Sequence, residues 1–307
     1  MEIKEIATYK NGNTITRIFD DGTKIHATND NAYNFAFSET VDACISERCS
    51  QGCEFCYAGC TPNGKFGNLT DWKFLTTMHP YTEVAINLQN PAPPDLMEFL
   101  YTMKAQNVIV NVTVNQDFFM HDYGLQFINF LVKMDLIKGI GISLTDPTQK
   151  NFIETVKQFP NAIIHVVAGV THPEDIDALT GKDLKILILG YKYKGRGIAY
   201  YENHKQEIED NIAWLESGIA ELAEGFLVTS FDNLAIEQLH MREKFEDEEW
   251  DKFYAGDDGT VSFYIDLVKG TFARNSVSGI SYPIGNKTMD EMFEVIKREV
   301  NESTELP

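Results

Sequence analysis

Six short runs rich in Val, Ile and Leu recur along the middle of the chain, each separated from the next by residues with helical periodicity. They are VDACIS (41–46), EVAINL (83–88), NVIVNVTV (107–114), KGIGISL (138–144), NAIIHVVAGV (161–170) and LKILILG (184–190). Between the second and third, Leu96, Phe99, Leu100 and Met103 fall at i, i+3, i+4 and i+7 on one helical face. Comparable faces are formed by Phe152, Val156 and Phe159, and by Ile208, Ile212, Leu215 and Ile219. Runs this continuous in aliphatic residues are expected to be buried on both sides, and their alternation with helices implies parallel strands joined by right-handed crossovers. The pattern therefore predicts an α/β fold, either a complete or partial α/β barrel or a doubly wound open sheet. In both, the reactive site lies at the carboxyl ends of the strands.

The flanks differ from this body. Residues 3–28 alternate apolar and polar side chains around NGN and DDG, the chemistry of tight hairpin turns, and predict a small β-meander. After residue 225, GFLVTSFDNLAIEQL predicts another strand and helix, DDGTVSFYIDLVKGTF a turn and β-hairpin, and TMDEMFEVIKREV a helix with Met289, Phe293 and Ile296 on one side. The simplest division is a meander over 1–40, a catalytic body over 41–230 and a small α+β extension over 231–307 that closes it.

Forty-six Asp and Glu against twenty-six Lys and Arg leave a net charge of −20, which disfavours nucleic acid and other polyanionic partners. No apolar run approaches the length of a membrane span. The amino terminus, MEIKEIATYKNG, has no apolar core of a signal peptide, so a reducing cytoplasm is the expected location.

All five cysteines lie between Cys44 and Cys60. Disulfides this close would staple only tiny loops and leave one thiol over. Cys49, Cys53 and Cys56 form C-x3-C-x2-C directly after the first strand of the body. A structural zinc site needs four closed ligands, and ferredoxin spacings also supply four thiolates. Three thiolates on a loop suit a [4Fe-4S] cluster with one open iron; a zinc knuckle that takes Cys60 as fourth ligand is the alternative.

The stretch CSQGCEFC, with Phe55 before the third cysteine, resembles the signature of the radical S-adenosylmethionine (SAM) superfamily, and the likeness spans roughly residues 41–230. The resemblance implies a partial (β/α)6 barrel in which Cys49, Cys53 and Cys56 hold a [4Fe-4S] cluster and SAM chelates the fourth iron. It further implies that one-electron reduction, by a flavodoxin- or ferredoxin-type partner, cleaves SAM to a 5′-deoxyadenosyl radical that removes hydrogen from substrate. Where the family commonly has GGE, this chain has Leu88, Gln89 and Asn90, resembling a subgroup in which Asn replaces the acid before Pro.

By the same likeness Phe55, Gln89, Asn90, Asn115, Ser143, Val170 and Lys192 are candidate SAM contacts. Asp146 alternatively caps the following helix. Cys60 is a candidate hydrogen-atom donor or simply a buried thiol, and Cys44 is expected to pack within its strand. The basic loop KYKGR brings Lys192, Lys194 and Arg196 together beside Gly195 and Gly197. It is expected to bind the SAM carboxylate or, through Lys194 and Arg196, a substrate anion. His172, ahead of Pro173, is expected at a helix start. No cysteine follows Cys60, so the chain lacks the cysteine-rich carboxyl-terminal domain of many peptide-modifying relatives. The expected substrate is a peptide or protein side chain, recruited by strand addition to the meander, or a small polar metabolite. A nucleotide or RNA base, or a noncatalytic zinc or iron-sulfur interaction role, are the alternatives.

Overall fold

The structure is a computed structural model and describes residues 3–304. Turns at Gly12 and Gly22, both at positive φ, join strands β1 (Glu5–Asn11), β2 (Thr14–Phe19) and β3 (Lys24–Ala27) into an antiparallel meander with its own sheet. The NGN and DDG signals thus act as expected.

Each of the six aliphatic runs contains a strand: β4 (Thr40–Cys44), β5 (Glu83–Asn87), β6 (Ile109–Asn115), β7 (Ile140–Ser143), β8 (Ala162–Val167) and β9 (Lys185–Leu189). They pair in chain order, all parallel. Two more parallel strands flank them, β10 (Val228–Phe231) beside β9 and β11 (Ser262–Asp266) beside β4. Antiparallel β12 (Thr271–Ala273) and β13 (Tyr282–Pro283) complete a ten-stranded, mostly parallel sheet among the described residues. The hairpin expected near residue 270 exists as β11 and β12. Its first strand, however, inserts into the main sheet, so the sheet continues into the carboxyl-terminal segment.

The helices are α1 (Leu96–Ala105), α2 (Gln116–Met120), α3 (Asp122–Lys133), α4 (Phe152–Val156), α5 (Pro173–Asp177), α6 (Arg196–Glu224), α7 (Asn233–Gln238), α8 (Asp247–Phe253) and α9 (Met289–Thr304). The helical faces read from the sequence are the ones buried: Leu96, Phe99, Leu100 and Met103 on α1, and Met289, Phe293 and Ile296 on α9, are each 2% exposed or less. Full burial of such a side chain contributes roughly 1.5–3 kcal/mol.

Burial on both sides of the strands does not hold. β5, β6 and β9 alternate strictly between buried and half-buried positions. The outward residues, such as Val84, Ile86, Val110, Val112, Ile186 and Ile188, join one apolar cluster with the helices. The inward residues face a cavity and are largely polar or small, including Asp42, Asn111, Thr113, Gly141, Ser143, His165 and Ser230.

Strands β10 and β11 stand on the two flanks of the parallel set without pairing. Side chains link the segments that follow β9 and β10 to those that precede β11 and follow β12: Asn233 Nδ2 donates to Asp258 Oδ1 at 2.7 Å, and Lys192 Nζ to Ser276 Oγ at 3.0 Å. At the amino ends the meander turn Asp20–Thr23 borders the same cavity. It is held there by Asn161 Nδ2 on the Asp20 carbonyl (3.4 Å) and by the Lys24–Glu83 ion pair (3.0 Å). No helix of the described residues is long and apolar enough to cross a membrane.

Candidate functional site

Every parallel strand contributes residues to a cavity of about 1240 Å³, whose carboxyl end is roofed by the cysteine loop. The loop leaves β4 under tight backbone control. Asn87, at the end of β5, accepts from Ile45 N (2.9 Å) and donates to the Ser46 carbonyl (2.8 Å). Cys49 N–H then bonds to Thr61 O, and Thr61 N–H to Glu47 O, so the two stems of the loop lie side by side. Turns close from Cys56 N–H to Cys53 O and from Gly59 N–H to Cys56 O. Gly52 and Gly59 take positive φ within it, which glycine adopts without strain.

Cys49, Cys53 and Cys56 are free, half-buried and exposed to the cavity. Burial raises the thiol pKa values of Cys49 and Cys53. A hydrogen bond between the Cys56 and Cys60 thiols instead holds Cys56 down to about 5 and pushes Cys60 up. Cys60 is buried, with Gln89 Nε2 at 4.0 Å from its sulfur. Cys44 faces the cavity rather than the helices, so it is not the packing thiol expected; burial pushes it up to about 11. Among the described residues no group of three or more His, Cys, Asp or Glu side chains is gathered as a site for a single metal ion.

The basic loop clamps the cysteine loop. Arg196 Nε and Nη2 donate to the Cys53 carbonyl (3.0 and 2.9 Å), Nη1 to the Cys60 carbonyl (2.8 Å), and its backbone N–H to Cys56 O (3.2 Å). Gly195 permits this approach, since a Cβ there would lie 2.3 Å from Tyr57 O, whereas a Cβ on Gly197 would meet Lys192 O of its own loop at 2.5 Å. The close backbone approach inferred from these glycines is thus to the cysteine loop, not to an anion. Arg196 borders the cavity, but all three of its guanidinium nitrogens are engaged with carbonyls. Lys194 lies outside the cavity wall and bonds the Ser276 carbonyl. Neither takes the place expected of a substrate-anion ligand.

Lys192 does face the cavity. Its ammonium sits 4.3 Å above the Tyr57 ring. Burial works to lower its pKa, but Tyr57 and the carboxylates of Asp232, Asp42 and Asp258 outweigh this and raise it. Asp42 meets solvent only within the cavity, deep in the protein, and burial raises its pKa.

Phe55, Gln89, Asn90, Asn115, Ser143 and Val170 all line the cavity. Phe55 packs edge-on against Tyr200 of α6 (5.9 Å). Gln89 Oε1 is buried without a hydrogen-bond partner. Asn115 caps α2, accepting from Asp117 N at 2.7 Å. Asp146 does not cap the next helix; it stabilises its own turn by accepting from Thr148 N and Oγ1. His172 stands at the start of α5 ahead of Pro173, as expected, without a side-chain capping bond.

Two residues were not singled out from the sequence. Asn87 ties β5 to the root of the cysteine loop. His165, 8% exposed, lies over Gly141, where a Cβ would come within 2.3 Å of its ring. Its Nδ1 has no partner, and burial lowers its pKa to about 4. A signal for such inward residues exists in IVNVTVN, where Asn111, Thr113 and Asn115 alternate with valines.

No family model matches the chain, and no curated protein matches it. Among solved structures it is similar to an adenine deaminase of Arthrobacter aurescens, at 14% identity and a TM-score of 0.30 over 73% of each chain. A likeness this slight carries no argument about activity.

Proposed function

We propose that this protein is a radical SAM enzyme in which Cys49, Cys53 and Cys56 hold a [4Fe-4S] cluster. The observation that carries the reading is the placement of three free thiols on one loop at the carboxyl end of a parallel strand, open to a cavity lined by all the parallel strands. Soft thiolate donors suit iron-sulfur chemistry. A [4Fe-4S] cluster with one open iron needs only these three thiolates, whereas the zinc alternative needs Cys60 as a fourth. The parallel sheet, with side chains bridging the segments around its two flanks, is read as a partial (β/α)6 barrel extended by one parallel strand on either side.

Bound there, the cluster and SAM would supply a radical that removes a hydrogen atom from substrate. The chain's own part is orientation and shielding. Gln89 offers a buried acceptor without a partner beside the thiols, fitting the SAM ammonium in place of a glutamate. Lys192 offers a cation to the SAM carboxylate, and Asn90, Asn115, Ser143, Val170 and Phe55 supply the remaining wall. The proposed reductant is of flavodoxin or ferredoxin type, in a reducing cytoplasm that would keep the five cysteines from forming disulfides.

A small polar metabolite, or a side chain reaching in from the cysteine end, would meet Asn111, Thr113, Ser143 and Ser230 among the aliphatic residues of the inner wall. The meander borders the opposite end of the cavity, which removes the rationale for recruiting a peptide along its edge. RNA is disfavoured further, because Lys194 and Arg196 are already hydrogen-bonded within the protein.

Anaerobic reconstitution with iron and sulfide tests the reading. It predicts about four irons per chain and a paramagnetic signal after reduction that changes when SAM is added. One bound zinc and no such signal would overturn it.

A further inference from the structure

The loop GYKYKGRG looks like an anion site in sequence, yet in the fold its arginine is turned onto main-chain carbonyls of the cysteine loop. One guanidinium spans Cys53 O and Cys60 O while the same residue's N–H takes Cys56 O. The planar fork matters here: a lysine ammonium cannot reproduce three N–H bonds in fixed directions. Gly195, just before the arginine, admits no side chain without pushing the two loops apart, since a Cβ there would sit 2.3 Å from Tyr57 O. The positive charge also acts on Cys49, Cys53 and Cys56 together.

We infer that Arg196 is a positioning residue that orders residues 53–60 and, through its charge, raises the reduction potential of the cluster held by the three cysteines. The inference rests on the iron-sulfur reading of the loop. Reduction adds negative charge next to a fixed cation, so the cation favours the reduced form; net charge and hydrogen bonding near the thiolates are among the terms that set such potentials. The two roles separate by substitution. Arg196→Gln removes the charge and the fork, whereas Arg196→Lys keeps a charge and loses the fork.

Two measurements on the full chain distinguish them. Amide hydrogen exchange of residues 53–60, read before iron is added, is expected to quicken at least tenfold in both variants. The reduction potential of the reconstituted proteins, followed by spectroscopic titration, is expected to become more negative in Arg196→Gln and to stay near wild type in Arg196→Lys. Exchange at the wild-type rate in both variants overturns the ordering role. An unchanged potential in Arg196→Gln, or equal shifts in both variants, overturns the electrostatic one. Should the wild-type protein take up no cluster, the iron-sulfur reading fails, while the exchange measurement still decides whether Arg196 orders the loop.

Discussion

At the amino end of the cavity, the Glu39 carboxylate, 1% exposed, accepts from Thr16 Oγ1 (2.7 Å) and Asn11 Nδ2 (3.1 Å) and pairs with His26 Nε2 (2.7 Å). At the carboxyl end, three thiols face the cavity and the buried Gln89 Oε1 has no partner. Lys24 extends the first network to Glu83, and Asn111 Nδ2 bonds the same carboxylate (3.0 Å), so the meander is latched to the sheet by polar groups that satisfy one another. The arginine at the other end bonds main-chain carbonyls and none of the sulfurs. Buried polar groups with partners hold a structure together, and those without call for another explanation, among them a ligand. The difference divides the cavity into a latch and a site.

The largest stability effect should come from breaking the latch. Glu39→Ala leaves His26, Thr16 and Asn11 without their buried carboxylate and should cost about 3–5 kcal/mol in denaturant unfolding, with little change at the cysteine loop.

Acid should act on the same group more gently. Burial alone would raise the Glu39 pKa, but the bond from His26, the charge of Lys24 and the bond from Thr16 bring it down to about 2 from an ordinary 4.5. Its contribution is therefore complete above about pH 4.5 and is lost as pH falls towards 2, amounting to about 3 kcal/mol. Stability measured from pH 5 to 2 should show this loss in the wild type and not in Glu39→Ala.

Asn87→Ala should cost less, about 1–3 kcal/mol, because it strips partners from Ile45 N and the Ser46 carbonyl at the root of the cysteine loop. Its mark should be faster amide exchange at residues 45–49 without loosening of the meander.

Between the two ends, His165→Leu removes a buried nitrogen that has no partner and should alter stability by less than about 1 kcal/mol. A large loss on unfolding would show that the imidazole is held by interactions this account omits.

The sequence makes the β/α alternation readable because the signal is local: Leu96, Phe99, Leu100 and Met103 mark their face without reference to the rest of the chain. The place of β11 was not readable, since Ser262–Asp266 pairs with Thr40–Cys44 more than two hundred residues away and its own residues suit a hairpin equally well. C-x3-C-x2-C and Phe55 mark a loop that the structure sets on the cavity, and suggest the chemistry proposed for it. The role of Arg196 was hidden because its partners are main-chain carbonyls, which have no residue identity. Continuous aliphatic runs likewise suggested two buried faces, although Asn111, Thr113 and Asn115 already marked the inward one.

The central claim is most directly tested by incubating the reconstituted, reduced protein with SAM under anaerobic conditions and following 5′-deoxyadenosine by chromatography, with Cys53→Ala alongside. The account predicts product from the wild type and none from the variant. Intact SAM with the cluster-loaded wild type, or equal product from both proteins, would contradict it.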